Sequence, residues 1–312
     1  MRWEGPLLIL MRLLRAGLTL WIVISAVFIL ARVGGDPVQY LLPPDIAGPE
    51  REDLRRILGL DRSIFVQYLI YLENIAGGDF GRSFFSSRPV SDVFFERLPA
   101  TISLMAPSLL MAVVIGVPAG VLAAVYHNTV IDRVLMALSF IGQSMPSFVL
   151  GIALILLFSL MLKILPSSGD GSWQHYIMPI ATLSTILAAS IARLTRGSLL
   201  DVLNRPFITF ARGKGLPRFS VNITHGLRNA LLPVVTLIGM QIGALIGGTA
   251  VIETVFAWPG VGRLMVDSVI RGDYALLQFG ILILAGTVII CNLLVDASYL
   301  LLDPRLRSRG AA

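Results

Sequence analysis

Six long apolar stretches alternate with shorter polar ones along this 312-residue chain. They run from about Leu13 to Ala31, Ile102 to Tyr126, Val134 to Leu165, Tyr176 to Ala192, Leu231 to Ile252 and Leu276 to Leu302. Each is long enough to cross ~30 Å of hydrocarbon as a helix, which takes roughly 17–25 residues. Inside a bilayer the backbone has to satisfy its own hydrogen bonds, so each stretch is expected to be helical. The pattern predicts an all-α membrane protein with six transmembrane helices. Arg12 and Arg15 precede the first stretch, and no small-residue cleavage site follows it, so an uncleaved span is expected.

The polar intervals differ in character. Residues 32–98 are too polar to span and too apolar to be disordered, and they predict a folded extracytoplasmic insert between helices 1 and 2. Within the insert, Glu50 to Leu58 reads as an acidic–basic helical patch and Phe65 to Leu72 as an amphipathic run. The resulting organisation is an N-terminus with the first helix (1–31), the insert (32–98), a five-helix core (99–302) with a polar loop at 193–230, and a tail (303–312). A short turn with His127, Asn128, Asp132 and Arg133 separates the second and third spans. Trp173 marks an interfacial turn before the fourth, and Trp258 with Pro259 is expected to form another after the fifth.

Two spans carry small residues every fourth position: Ala112, Gly116, Gly120 and Ala124 in the second, and Gly239, Gly243 and Gly247 in the fifth. Such stripes let a neighbouring helix approach closely, the main source of helix association in lipid. Pro146 is expected to bend the long third span. The fourth span is expected to end at Arg193 and Arg196, and Glu253 and Arg263 to mark the end of the hydrocarbon region. Asp296 is a carboxylate inside the sixth span, expected to be a cap or ion-pair partner near the boundary.

Composition and charge sharpen the picture. A mean hydropathy of +0.81 and 14% charged residues exclude an ordinary soluble domain. The net charge of +6 does not point to nucleic acid, because the basic residues fall in short runs beside the apolar spans. Segments assigned inside hold 14 Lys and Arg against 4 acids, and those assigned outside hold 11 against 14. That asymmetry places both termini in the cytoplasm. The lone Cys291 permits neither a disulfide nor a Cys-based metal site. GQSMP (Gly142 to Pro146) lacks the last glycine and the strand–turn–helix setting of a nucleophile elbow. The chain has no phosphate-binding G-x-x-x-x-G-K-[ST] and no H-E-x-x-H, so no nucleotide, cofactor or metal is expected to bind it.

The most informative stretch is Phe207 to Pro233, FITFARGKGLPRFSVNITHGLRNALLP. It contains Arg212, Lys214, Arg218 and Arg228 and no acid, and Gly215 and Pro217 break it into two short helical pieces. ARGKGL followed by HGLRNALLPVVTLIG resembles the cytoplasmic coupling loop of binding-protein-dependent ABC importer permeases of the dipeptide, oligopeptide and nickel type. The general form of that loop is E-A-A-x-x-x-G; Ala211 and Gly215 match it, with Thr209 and Phe210 at its first two positions. GDPV (Gly35 to Val38), LGLD followed by Gln67 and Tyr68, GDFGRS (Gly78 to Ser83) and GGTAVIETVFAWPGVGR (Gly247 to Arg263) are similar to segments of B-type subunits of the same family.

The resemblance implies a type I importer permease fold in a bacterial or archaeal plasma membrane. It also implies partners: a homologous second permease, two cytoplasmic ATPases that use ATP and Mg, and an extracytoplasmic substrate-binding protein. The coupling residues would be Phe210, Ala211, Arg212, Gly213, Lys214, Gly215, Leu216, Arg228 and Asn229. Gln143, Met145, Gln241, Glu253 and Trp258 are candidates for the path or its gate, although Gln143 and Gln241 suit helix–helix hydrogen bonding equally well. Di- and oligopeptides are the expected cargo, with nickel or a metal–chelator complex as the alternative. A stand-alone secondary transporter is the alternative of another class.

Overall fold

The computed structural model describes residues 4–33, 38, 48–57 and 59–302. Residues 35–37 of the GDPV phrase, Pro43, Pro44, Leu58 and the tail 303–312 lie outside them, as does the side chain of Asp296. Eleven α-helices account for most of the described chain: α1 (Glu4–Val33), α2 (Gly48–Ile57), α3 (Ile64–Ala76), α4 (Val90–Val125), α5 (Val130–Ser144), α6 (Ser147–Leu154), α7 (Gln174–Leu203), α8 (Pro206–Gly213), α9 (Arg228–Val255), α10 (Val261–Arg271) and α11 (Tyr274–Leu302). Wider π-helical turns follow α6 (Ile155–Met161) and precede α9 (Ser220–Leu227). Among the described residues four single helices are long and apolar enough to cross a membrane, and two bent pairs pass the same test together, for up to six spans.

The chain divides into two compact units. One comprises Met1–Pro99 and Gly260–Ile289. Here α2 and α3 form where the short amphipathic runs predict them. Ser63 caps α3 through its hydroxyl, and the Gln67 amide donates to the carbonyls of Leu60 and Arg62. Tyr68 reaches Ser25 of α1 at 2.5 Å, and Tyr71 stacks on Phe28 of α1. Burial raises the Tyr71 hydroxyl to about 12, with Tyr68 adding to the shift, so it stays neutral. The GDFGRS segment is tied down by Ser83, whose hydroxyl donates to the buried Asp273 carboxylate at 2.6 Å. Val90, Phe94, Val261, Met265, Leu276 and Phe279 form the core beside it.

Two boundaries in this unit differ from the sequence expectation. The second span starts at Val90, twelve residues before Ile102, because its polar first turns are anchored by Phe94 and Val90 in that core. Helix α10 was not anticipated. It carries Val261, Met265 and Ser268 on one buried face, between Gly260 and a left-handed Gly272 at φ +68°.

The second unit comprises Ala100–Pro259 and Ile290–Ala312. Its stem is α7, with buried residues from Met178 to Leu199. The α4 stripe packs directly on it. A Cβ on Gly116 would lie 2.8 Å from the Ala188 carbonyl oxygen. One on Gly120 would fall on the Ala192 carbonyl and lie 2.6 Å from the Thr195 Cβ. The α9 stripe behaves differently, with nothing of this chain within 4 Å of a Cβ at Gly247.

Pro146 breaks the third span as expected. Met145, the residue before it, is extended (φ −83°, ψ 125°), and the two halves meet at 101°. The fourth span, in contrast, does not stop at Arg193 and Arg196 but runs on to Leu203.

Close approach of α4 and α7 leaves no room for a side chain. Gly120→Ala is expected to lower the unfolding free energy in detergent by about 1–3 kcal/mol, the cost of overpacking. Gly247→Ala, with free space around it, is expected to leave it unchanged; equal unfolding midpoints for the two variants would contradict this packing.

Candidate functional site

The segment between α7 and α9 folds into a tight elbow. Arg205 is extended before Pro206, whose fixed φ suits the first position of α8. Ile208 and Ala211 on one face of α8 pack with Val221 of the following π-helical turn and with Val202 and Leu203 at the end of α7. The chain then reverses at Gly215, which has φ +77° and donates its N–H to the Arg212 carbonyl at 3.0 Å. A side chain at that φ would be strained, which explains the glycine.

The outer surface of the elbow is both aromatic and basic. Phe207, Phe210 and Phe219 are exposed at 46%, 66% and 77%, and Arg212, Gly213, Lys214 and Leu216 are exposed around them. Lys214 Nζ sits 4.7 Å from the Phe210 ring centroid, a cation–π contact that organises part of this surface. Arg228 opens α9, and the Asn229 amide donates to the His225 carbonyl at 2.8 Å. Of the expected coupling residues, Ala211 is turned inward as the anchor, Phe210, Arg212, Gly213, Lys214 and Leu216 are exposed on the elbow around Gly215, and Arg228 and Asn229 lie in the first turn of α9.

Two turns back along α7 lies a cluster that sequence reasoning passed over. Asp132, near the start of α5, is 3% exposed. Arg196 grips it with two donors, Nε to Oδ1 at 2.6 Å and Nη2 to Oδ2 at 2.8 Å. The Asn128 N–H donates to Oδ2 at 3.0 Å, and His127 Nδ1 lies 3.2 Å from the same oxygen. Arginine's planar fork matches a carboxylate in this bidentate arrangement. The available signal was a single acid in the 126–133 turn facing a span with two arginines.

The proposed path residues separate into three places. Gln143 and Met145 sit at the α5–α6 break. Gln143 Nε2 donates to Ser190 Oγ of α7 at 3.2 Å, and its Oε1 accepts from Arg193 Nη1. Gln241 is half-buried in mid-α9. Glu253 and Trp258 lie together beyond it, and Trp258 corrects the sequence expectation. Glu253 is fully buried and accepts from the Thr101 hydroxyl at 2.7 Å. Trp258 is 1% exposed; its indole N–H donates to the Ala100 carbonyl and its ring meets Tyr176 edge-on at 4.5 Å. It is an internal bracket, not an interfacial anchor. Trp173, at 72% exposed, keeps the solvent- or lipid-facing position expected of it.

Comparison with known proteins gives a consistent picture. Residues 116–308 match the family model described as binding-protein-dependent transport system inner membrane component, and residues 7–105 match the corresponding N-terminal model. The chain is 43% identical over 300 residues to the glutathione transport system permease protein GsiC of Escherichia coli (strain K12), covering 96% of this chain and 98% of that one. The same identity and coverage hold for GsiC of Shigella flexneri serotype 5b. Among solved structures, a chain of the inward-facing MetNI methionine ABC transporter aligns with a TM-score of 0.60 at 21% identity, covering 70% of this chain and 99% of that one. That likeness shows a shared fold.

Removing one partner of a buried pair strands the other charge, at a cost of about 3–5 kcal/mol. Asp132→Ala is expected to destabilise the protein by that order, and Arg196→Leu to do the same. The double variant should lose less than the sum of the two. Additive losses in a double-mutant cycle of detergent unfolding would show that the pair does not act as a unit.

Proposed function

The chain belongs to the family of binding-protein-dependent transport system inner membrane components, and on that premise we propose that it imports peptides by relaying ATPase movement through the α8 elbow. It is a multi-pass inner-membrane permease subunit of an ABC importer and not an enzyme; ATP hydrolysis belongs to partner ATPases. Membership of this family leaves no place for a stand-alone secondary transporter.

The observation that carries the reading is the elbow itself. Three exposed phenylalanines lie on a basic loop with no acid, and exposed aromatic residues beside Arg212 and Arg218 are the residue types enriched at protein interfaces. In our reading the loop and both termini face the cytoplasm, and Phe210, Arg212, Lys214 and Leu216 meet polar or acidic positions of an ATPase. ATP binding closes the ATPase pair and pushes α8. The buried face of α8, through Ile208 and Ala211, is locked to the end of α7, so the push travels as a rigid-body movement of a packed helix and not through a flexible loop. The second half of the path comes from a homologous permease, and a binding protein delivers the cargo from outside.

Peptides are our first choice of cargo, because the 43%-identical relatives are named glutathione permeases and glutathione is a tripeptide. Gln143 and Met145 at the α5–α6 break, with Gln241, would line the path. Glu253 and Trp258, closed into the protein, would brace its gate and not touch the cargo.

Gly215→Asp tests the relay, since it combines a forced left-handed residue with a negative charge beside Arg212 and Lys214. Uptake of trialanine into vesicles by the assembled importer is expected to fall to background, with insertion unchanged. Gly215→Asn, which tolerates the left-handed region better, should keep part of the activity. Normal uptake by the Gly215→Asp importer would sink the assignment of this elbow as the ATPase contact.

A further inference from the structure

We propose that Arg193 is the point on the path that receives the carboxylate of the cargo, a site built by Gln143 and Ser190; the proposal rests on the peptide-importer reading above. Arg193 and Arg196 lie one turn apart on α7, yet their surroundings differ. Arg196 is neutralised by the bidentate Asp132 carboxylate. Arg193 Nη1 donates to the uncharged amide oxygen of Gln143, and no carboxylate of a described residue lies within ion-pair distance of it. Gln143 is in turn fixed by its bond to Ser190 Oγ at 3.2 Å. The guanidinium is thus oriented without being neutralised. Gln143 occupies Nη1, leaving the Nε–Nη2 edge for an incoming anion, and that edge suits a carboxylate.

The depth of the group argues for cargo over lipid. Gln143 lies nine residues after Val134, where the third apolar stretch begins, so at 1.5 Å per residue it is ~14 Å along that stretch, near the middle of a ~30 Å hydrocarbon layer. Helical side chains lean toward their own N-terminus, and Arg193 leans that way to reach Gln143, away from the Leu203 end of α7. A lipid-facing arginine snorkels toward the nearer headgroup level, where phosphates lie; this one does the reverse. A charge held at mid-depth is costly unless it faces water or an anion. Gln143 and Arg193 are both exposed in this chain, beside the 101° break where backbone is freed from helical bonding. Irregular backbone at that depth is found where it is buried in protein or lines a water-filled cavity, and the exposure of Gln143 and Arg193 favours the cavity. Every peptide with a free C-terminus brings one carboxylate to such a site.

The test uses the complete importer, with its ATPases, second permease and binding protein, in nanodiscs for labelling and in sealed proteoliposomes for uptake. Phenylglyoxal modifies accessible arginines, and mass spectrometry reads the rate at Arg193. Trialanine is expected to slow modification of Arg193 about fivefold, while trialanine amide, which lacks the carboxylate, leaves it unchanged. Arg193→Gln is expected to lower trialanine uptake about tenfold with ATP hydrolysis within about twofold of the unmodified importer. Equal protection by both peptides, or none by either, overturns the proposal. So does an Arg193 already protected in the peptide-free complex but reactive in the isolated chain, because its counter-charge then comes from a partner subunit. Protection by trialanine without any trialanine uptake by the unmodified importer upholds the carboxylate site and removes peptides as the cargo.

Discussion

Helix α7 has to be approached to backbone distance by its neighbours, and the rest of the second unit follows from that. Gly116 and Gly120 of α4 lie against the Ala188 and Ala192 carbonyls, Gly142 of α5 lies against Thr185, and Gly226 before α9 lies against Leu199 and Leu203. In lipid there is no hydrophobic drive to hold helices together, so contact area has to come from packing, and small residues supply it by removing the side chains in between. One helix thereby touches the neighbouring spans and the elbow. A displacement at the elbow has a stiff element to act on.

The same helix concentrates the charges. Arg196 locks α7 to the start of α5 through a buried bidentate carboxylate, while Arg193, one turn away, reaches the end of α5 through an amide. The first contact binds the two helices into a unit; the second leaves positive charge available beside the α5–α6 break. Two arginines in near-identical sequence settings therefore do different things, and the difference lies wholly in what α5 offers them: Asp132 in one case, Gln143 in the other.

Much of the fold was legible in the sequence because it follows from constraints that act locally. The six apolar stretches correspond to four single spanning helices and two bent pairs, Pro146 bent its span by forcing Met145 out of helix, and Gly215 turned the elbow at a positive φ that favours glycine. The α4 glycine stripe packed as its spacing implied. The failures all involve a tertiary contact that overrides a local preference. Arg193 and Arg196 looked like the end of a span, since unpaired charges end one, but Asp132 neutralises Arg196, Gln143 holds one donor of Arg193, and the helix runs on to Leu203. Trp258 has the amphipathic ring of an interfacial residue, yet the Ala100 carbonyl takes its N–H and allows full burial. Helix α10 hides in a mixed polar segment because a single buried face of Val261, Met265 and Ser268 is too short to stand out. At the candidate site, the loop was readable from its charges and glycine, whereas the residues paired across 47 to 69 positions of sequence were not.

The most direct measurement places a photo-cross-linker on the elbow. With Cys291→Ser removing the chain's one native thiol, Phe210→Cys carries benzophenone maleimide, and Ile57→Cys, exposed on α2, serves as the control. In the assembled importer the probe at position 210 is expected to cross-link to an ATPase subunit, and the probe at 57 is not. An intact complex in which position 210 captures only lipid, or in which position 57 captures the ATPase, would contradict the elbow as the point where ATP-driven movement enters this protein.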